Sequence, residues 1–474
     1  MAAKPGLLMN EHAWQFWIDV GGTFTDCLSR AADGTLRRAK VLSTGSTKGR
    51  VASVAGQTIF DPLRAHDPPD FWRGFRCTLF DASGQPGAST TVFASEPGTG
   101  KLRLVDSSLA IAAGQAYELT ADIEAPLLAI RWLLALPLDQ PLPPLSIRLG
   151  TTRGTNALLT RRGACTAFIT TRGFGDILQI GNQNRPELFA LDIIKPQPLS
   201  AITLEVTERV AADGSILTPL DERSARQALA ALRAQQIDSL AICLLHAYRQ
   251  PAHELALERI ARELGFTEIS LSHQVAPLIK LVARGDTTVV DAYLNPVLRD
   301  YLRELQMPLH PASELRVLNS SGGLVSAEKF RGVESVLSGP AGGVVGFSKV
   351  AEAAGFPRSI GFDMGGTSTD VARYDGRYEL QFETTKAGVR IVSPMLAIET
   401  VAAGGGSLCW FDGVKLCVGP DSAGANPGPA CYGRGGPLAV TDCNFYLGKI
   451  LPEFFPFALD LPAVEARLTA IAAQ

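Results

Sequence analysis

The sequence predicts an α/β fold built twice over, with a small β-rich insertion. Three observations predict it. An acidic, glycine-rich loop occurs twice, strands and helices alternate between the copies, and one early stretch of short strands and turns interrupts the alternation.

The repeat is Asp19-Val-Gly-Gly-Thr-Phe-Thr-Asp26 against Asp363-Met-Gly-Gly-Thr-Ser-Thr-Asp370, identical at six of eight positions. A short apolar strand candidate precedes each copy, at 16–18 and 360–362. A second strand follows, at 27–29 and 371–374, then an Asp-Gly turn at Asp33-Gly34 or Asp375-Gly376 and a third strand. The unit is strand, glycine turn, strand, tight turn, strand.

Residues 60–125 read as the insertion. The Pro- and Asp-rich 61–70 leads into strand candidates at 78–80, 91–93, 102–105 and 116–119, with Gly and Ser between them. Helical stripes at Ala225, Ala228, Leu229 and Leu232 and at Leu257, Ile260, Ala261 and Leu264 flank a continuous apolar run at 240–245, which suits a buried strand. A third stripe, Val290, Tyr293, Leu294 and Val297, runs through Pro296 and predicts a kinked helix or two shorter ones. The Gly- and Pro-rich 404–437 reads as ordered turns between strands at 408–411, 415–418 and 438–440, and 462–473 as a helix.

With 474 residues, 46% hydrophobic and 19% charged, the chain can bury more than one core. A formal net charge of -3 gives no broad electropositive field, which argues against nucleic acid or an anionic membrane as partner. The eight cysteines form no CxxC pair and no zinc-type Cys/His spacing, so they read as reduced thiols. No signal-peptide pattern opens the chain, and the apolar 125–138 is too short to span a bilayer, so a cytoplasmic location is expected.

The chemistry of the repeated loop follows from its residue types. Two glycines let backbone N–H groups approach a phosphate closely, and threonine hydroxyls two residues apart share one side of the next strand and can donate as well. Asp19 and Asp363, which cannot donate when ionised, suit a hard cation such as Mg²⁺ beside the phosphates. Gly21, Gly22, Thr23, Thr25, Gly365, Gly366, Thr367 and Thr369 are the expected phosphate-binding residues. Asp26 and Asp370 either share in this or fix their own turns. Two such loops, one from each domain, would clamp a nucleotide's phosphates for transfer.

These loops resemble phosphate-binding loops one and two of the actin, Hsp70 and sugar-kinase superfamily, which implies a duplicated RNase H-like, actin-like ATPase architecture. The fuller wording resembles the hydantoinase A/5-oxoprolinase family, and further segments agree: Leu149-Gly-Thr-Thr-Arg-Gly-Thr-Asn-Ala-Leu-Leu159, Thr171-Arg-Gly-Phe-Gly-Asp176, Leu337-Ser-Gly-Pro-Ala-Gly-Gly-Val-Val-Gly346, Thr400-Val-Ala-Ala-Gly-Gly-Gly-Ser407 and 419–432. The resemblance implies an N-terminal region over 14–222 with the first loop and the 60–125 insertion, and a hydantoinase A/oxoprolinase domain over 235–474 that ends early. It also implies ATP and Mg²⁺ as cofactors, with Asp19 and Asp363 as the catalytic and metal-holding carboxylates. The expected activity is ATP-dependent phosphorylation and ring-opening of a cyclic amide, foremost 5-oxoproline to glutamate. A hydrolytic B subunit or fused B domain would complete the reaction, and a homo-oligomer is left open.

Gly404 and Gly405 are expected to line the nucleotide or substrate pocket or to form a packing turn. Arg153 and Arg284 are candidates for a substrate carboxylate, with surface ion pairs as the alternative. His246, His253 and His273 read as unrelated residues, since nothing in their spacing forms a catalytic pair. Other readings of the whole chain are the hydantoin-hydrolysing A component of the same family, an actin-like ATP-binding module without turnover, and a sugar or small-acid kinase.

Overall fold

The computed structural model describes residues 14–22, 24–81, 85–96, 98–106, 108–183, 185, 188–366, 368–424, 427–455 and 459–473. These fall into two units, one holding the chain up to Gly339 with Gln381–Met395, the other Pro340–Leu380 and the chain from Leu396.

In the first unit Trp14–Val20 (β1), Phe24–Arg30 (β2) and Leu36–Leu42 (β3) make the three-stranded meander expected around the first loop. Alternation fixes its faces. Phe16, Ile18 and Val20 point inward from β1, and Thr25, Cys27 and Ser29 are buried from β2. The chain then leaves to build the insertion, an antiparallel seven-stranded sheet of Ser46–Arg50 (β4), Ser53–Ala55 (β5), Thr58–Phe60 (β6), Arg76–Phe80 (β7), Pro86–Glu96 (β8), Lys101–Leu104 (β9) and Ala116–Thr120 (β10), in the order β4-β10-β7-β8-β9-β6-β5. The sheet thus also takes in β4, β5 and β6, which precede the Pro-rich 61–70, so it starts at Ser46 and not at residue 60 as expected. Trp72 packs edge to face with Phe71 and with Phe75 in its core, 4.9 Å from each ring.

The chain returns through the helix Ala125–Leu134, apolar but for Arg131 and buried along most of its length, to Leu145–Thr151 (β11), which pairs in parallel with β1. Thr166–Thr171 (β12), Ile202–Val206 (β13), a short hairpin of Arg209–Val210 (β14) and Ile216–Thr218 (β15), Ser239–Cys243 (β16) and Glu268–Leu271 (β17) follow. Of these, β13-β12-β16-β17 form a parallel sheet covered by the helices Glu222–Ala234 and Ala252–Glu263. Both helices bury the predicted stripes, and Asp221 caps the first by accepting from the Ser224 N–H at 3.1 Å. Glu314–Leu318 (β18) and Leu324–Ser326 (β19) complete the main sheet, β19-β18-β11-β1-β2-β3.

Pro296 does not divide its helix, which runs as one element over Leu281–Gln306. Proline cannot donate to the carbonyl four residues back, that of Ala292, and Ser239 supplies the missing donor from β16 at 2.7 Å.

In the second unit Arg358–Met364 (β20) and Thr369–Asp375 (β21) pair around the second loop, and Glu399–Val401 joins β21 on its far side. The Gly- and Pro-rich region is ordered where described, with a hairpin of Ser407–Phe411 and Leu416–Ser422. Buried Asp442 accepts from the N–H groups of Ala430, Cys431 and Ala439 at 2.7 to 3.0 Å, which ties the following turns to the helix Val440–Tyr446.

Candidate functional site

The two loops close in the same way. Asp19 pairs with Asp26 and Val20 with Thr25 across β1 and β2, after which the Gly21 N–H donates to the Phe24 carbonyl at 3.0 Å. Asp363 pairs with Asp370, Met364 with Thr369, and the Gly365 N–H donates to the Ser368 carbonyl at 2.9 Å. A side chain at Gly21 would put its Cβ 3.0 Å from the Phe24 oxygen, so glycine keeps this turn tight. Thr23 and Thr367 lie outside the described residues.

Asp19 stands exposed at the end of β1, with Gly150 of β11 close enough that a Cβ there would come 3.5 Å from its Oδ1. Asp363 is likewise exposed, beside Gly343. Asp26 and Asp370 instead brace neighbouring strands. Asp26 receives Lys40 of β3 at 2.6 Å, an exposed pair of small energetic weight, and Asp370 accepts from the Thr400 hydroxyl at 2.8 Å.

The threonine hydroxyls at Thr25 and Thr369 face inward. Thr25 is fully buried 3.0 Å from Ser43 Oγ, and Ser43 donates to the Gly21 carbonyl at 2.8 Å. Thr369 donates to the Ala403 carbonyl at 2.6 Å. Each hydroxyl thus supports its loop from behind.

The Gly404–Gly406 turn is built against the second loop. Its Gly405 and Gly406 N–H groups donate to the Gly365 and Gly366 carbonyls at 2.9 and 2.7 Å, and the Gly404 N–H donates to Ser407 Oγ. A Cβ on Gly406 would lie 2.9 Å from the Gly366 oxygen, so close backbone approach requires glycine there.

Within the first unit a cleft of ≈ 1120 Å³ opens beside the first loop, lined among others by Gly21, Gly22, Ser43, Thr152, Arg153 and Asn156. Thr152 follows β11 and binds Val20 from both its N–H and its hydroxyl, which locks the turn after β11 to the loop. Arg153 reaches Glu124 at 2.7 and 2.9 Å and covers the Tyr301 ring at 4.8 Å, at the wall of this cleft. Arg284 is elsewhere. It is fully buried, donates to the carbonyls of Leu278 and Leu244 at 2.6 and 2.5 Å, and lies over Tyr248.

Two buried glutamates organise the ends of the parallel sheet, and spacing gave no sign of them. Glu208 accepts from Thr171 and pairs with His253 Nδ1 at 2.7 Å, while Glu254 accepts from Leu244 N–H and Ser272 and pairs with His273 Nδ1 at 2.6 Å. His253 and His273 are therefore parts of the core's polar framework, each with its own acid. Among the described residues no cluster of three or more His, Cys, Asp or Glu could hold a metal ion. None of their helices is long and apolar enough to cross a membrane.

Solved structures share this architecture. The ATP-dependent caprolactamase from Pseudomonas jessenii matches with a TM-score of 0.63 over 96% of this chain and 58% of its own, at 26% identity. A nucleotide-free acetone carboxylase matches with 0.63 over 97% and 58%, at 23% identity. The fold is accordingly the actin-like ATPase fold of the hydantoinase type. Family models for the hydantoinase/oxoprolinase N-terminal region and for hydantoinase/oxoprolinase match residues 116–265 and 284–474, and this chain belongs to the hydantoinase/oxoprolinase family. The 5-oxoprolinase of Saccharomyces cerevisiae is 45% identical over 375 residues, 70% of this chain and 29% of that protein. The 5-oxoprolinase 1 of Arabidopsis thaliana is 46% identical over 65% of this chain and 26% of its own, and the caprolactamase alpha subunit of Pseudomonas jessenii 35% over 64% and 45%. The chain spans less than a third of the two 5-oxoprolinases.

Proposed function

We propose that this chain performs the ATP-handling part of the ring-opening hydrolysis of a cyclic amide, with 5-oxoproline as the first substrate to test. The observation that carries the reading is the matched pair of loops, each an exposed aspartate followed by a glycine turn closed by the same hydrogen bond. Amide resonance makes a lactam carbonyl a poor electrophile. Transfer of the γ-phosphoryl group to the amide oxygen turns that oxygen into a leaving group, and ADP departs.

In this reading the Gly21-Gly22 and Gly365-Gly366 turns, closed by the Gly21 and Gly365 N–H groups, present the N–H groups of Gly22 and Gly366, with Thr23 and Thr367, to phosphate oxygens. Thr25, Thr369, Gly404 and Gly405 keep the loops in shape from behind. Mg²⁺ would be held by Asp19 or Asp363 together with phosphate and water oxygens and would offset phosphate charge; one carboxylate per loop suits an ion that keeps most of its water. Arg153 at the cleft is the better placed of the two arginines for a substrate carboxylate, and Arg284 is assigned to the core. A separate hydrolytic partner completes amide cleavage.

The test follows phosphate release from Mg-ATP with 5-oxoproline, a hydantoin or a sugar, with and without the hydrolytic partner of a relative. Stimulation by 5-oxoproline supports the proposal, stimulation by a hydantoin moves it to that substrate, and stimulation by none ends it.

A further inference from the structure

The inserted sheet is rooted in the wall of the cleft beside the first loop. Ser43 and Thr44, where the chain leaves for the insertion, line that cleft, and so do Thr120, Asp122, Ile123 and Glu124, where it returns. The two crossings are pinned together at Gly45. Its φ of 68° suits glycine, and a Cβ there would lie 2.2 Å from the Ile123 carbonyl oxygen. Close backbone packing therefore sets where Glu124 stands in the wall.

Glu124 is the residue before the helix Ala125–Leu134, a place from which a polar side chain commonly accepts from the first N–H groups of its own helix. Its side chain makes no such bond. The carboxylate reaches Arg153 instead, taking Nη2 with both oxygens at 2.7 and 2.9 Å, and is 17% exposed where the Arg153 side chain is 44% exposed. The buried Tyr301 ring supports the guanidinium through a cation–π contact at 4.8 Å. Both bonds to Glu124 leave from Nη2, so the donors on Nη1 and Nε are not spent on it. A carboxylate and a ring thus hold a long, rotamer-rich side chain with donors left over. Asp122, the other acid of this segment, is spent on Arg76 at 2.8 Å, and Arg162 and Glu304 add one charge of each sign to the lining.

We propose, resting on the lactam reading above, that Glu124 is a positioning residue which sets Arg153 on Tyr301 to select lactams carrying a carboxylate. Arg153 takes that carboxylate through the donors Glu124 leaves. The guanidinium in contact attracts it more than the Glu124 carboxylate, farther off, repels it, since Coulomb energy falls with distance. Glu124 also sets the sign of the subsite once Arg153 is gone, because a mostly buried carboxylate without its cation favours a cationic ligand. The insertion enters substrate choice through this one residue.

The test compares three lactams with the full chain: 5-oxoproline with its carboxylate, uncharged γ-butyrolactam, and α-amino-ε-caprolactam with its ammonium group. Calorimetry in the presence of Mg²⁺ and a non-hydrolysable ATP analogue should show 5-oxoproline bound about tenfold or more tightly than γ-butyrolactam. Glu124→Ala should weaken 5-oxoproline about three- to tenfold and γ-butyrolactam hardly at all, with the effect on turnover falling on KM rather than kcat. Arg153→Met should reverse the order and place α-amino-ε-caprolactam ahead of 5-oxoproline. A pair that serves only the fold would shift the melting temperature in both variants and leave the order of the three lactams as it was. Binding in the expected order with no ATP turnover on any lactam counts against the ATP-handling function and for the subsite. The subsite is overturned if the unaltered chain does not prefer 5-oxoproline, if Glu124→Ala leaves its affinity unchanged or tightens it, or if Arg153→Met keeps the original order.

Discussion

Thr25 and Thr369 occupy matching places and turn their hydroxyls inward, one to Ser43 and one to the Ala403 carbonyl. Thr25→Val keeps the shape and removes the hydroxyl, so it should lower stability by about 1–2 kcal/mol, read as a shift in the urea midpoint. Asp19 and Asp363 differ from them in being exposed, and an exposed carboxylate contributes little to folding. Asp19→Asn or Asp363→Asn should leave the melting temperature nearly unchanged while reducing substrate-stimulated ATP turnover roughly 100-fold or more. A variant with unchanged turnover would remove that residue from the mechanism. Asp286 gives a pH signature. Burial pushes its carboxyl up to about 6, against the opposing pull of Arg390. Because the fold then binds that proton more tightly than the unfolded chain does, stability falls as pH rises from about 4 to about 6 and stays lower above. Asp286→Asn should therefore gain about 2 kcal/mol at pH 7.5 and almost nothing at pH 4, as thermal melts at the two values would record.

At the scale of elements, the helix Leu281–Gln306 survives Pro296 because a neighbouring strand repairs the damage. Ser239→Ala removes the donor to the orphaned Ala292 carbonyl and should cost about 1–3 kcal/mol. Pro296→Ala restores a backbone donor, so in that background the same serine change should cost much less. A double-mutant cycle measures the difference, and additive effects would refute the repair. The inserted sheet rests on Trp72, fully buried among Phe71 and Phe75. Trp72→Ala should lower the stability of that sheet by about 3–5 kcal/mol, seen as faster exchange in β7 and β8. The family matches cover 116–265 and 284–474, so the first of them begins at β10, the last strand of the inserted sheet in chain order.

At the scale of the molecule, each unit was legible in proportion to how local its defining contacts are. The strand, loop and strand of both copies could be read from their residues because a glycine turn joins neighbours in sequence and alternation marks the buried face. The amphipathic helices of the parallel sheet were legible for the same reason. The glutamate partners of His253 and His273 were not, since Glu208 lies 45 residues from His253 and Glu254 lies 19 from His273, and only the folding of the sheet brings them together. Arg153 and Arg284 look alike in sequence, but one lines a cleft and the other is sealed beneath two carbonyls.

The sequence by itself determined the repeated loop, the turn chemistry that closes it, the α/β class and the family, all of which depend on residue type and short spacing. Tertiary structure decided which hydroxyls of the loop face inward, what repairs the helix at Pro296, and which of the two loop-bearing strands is enclosed. The physical reason is that burial and hydrogen-bond partnership are set by whatever packs against a residue. For Phe16, Ile18 and Val20 that cover is far away in the chain, and for Ile360, Phe362 and Met364 no cover is found among the described residues.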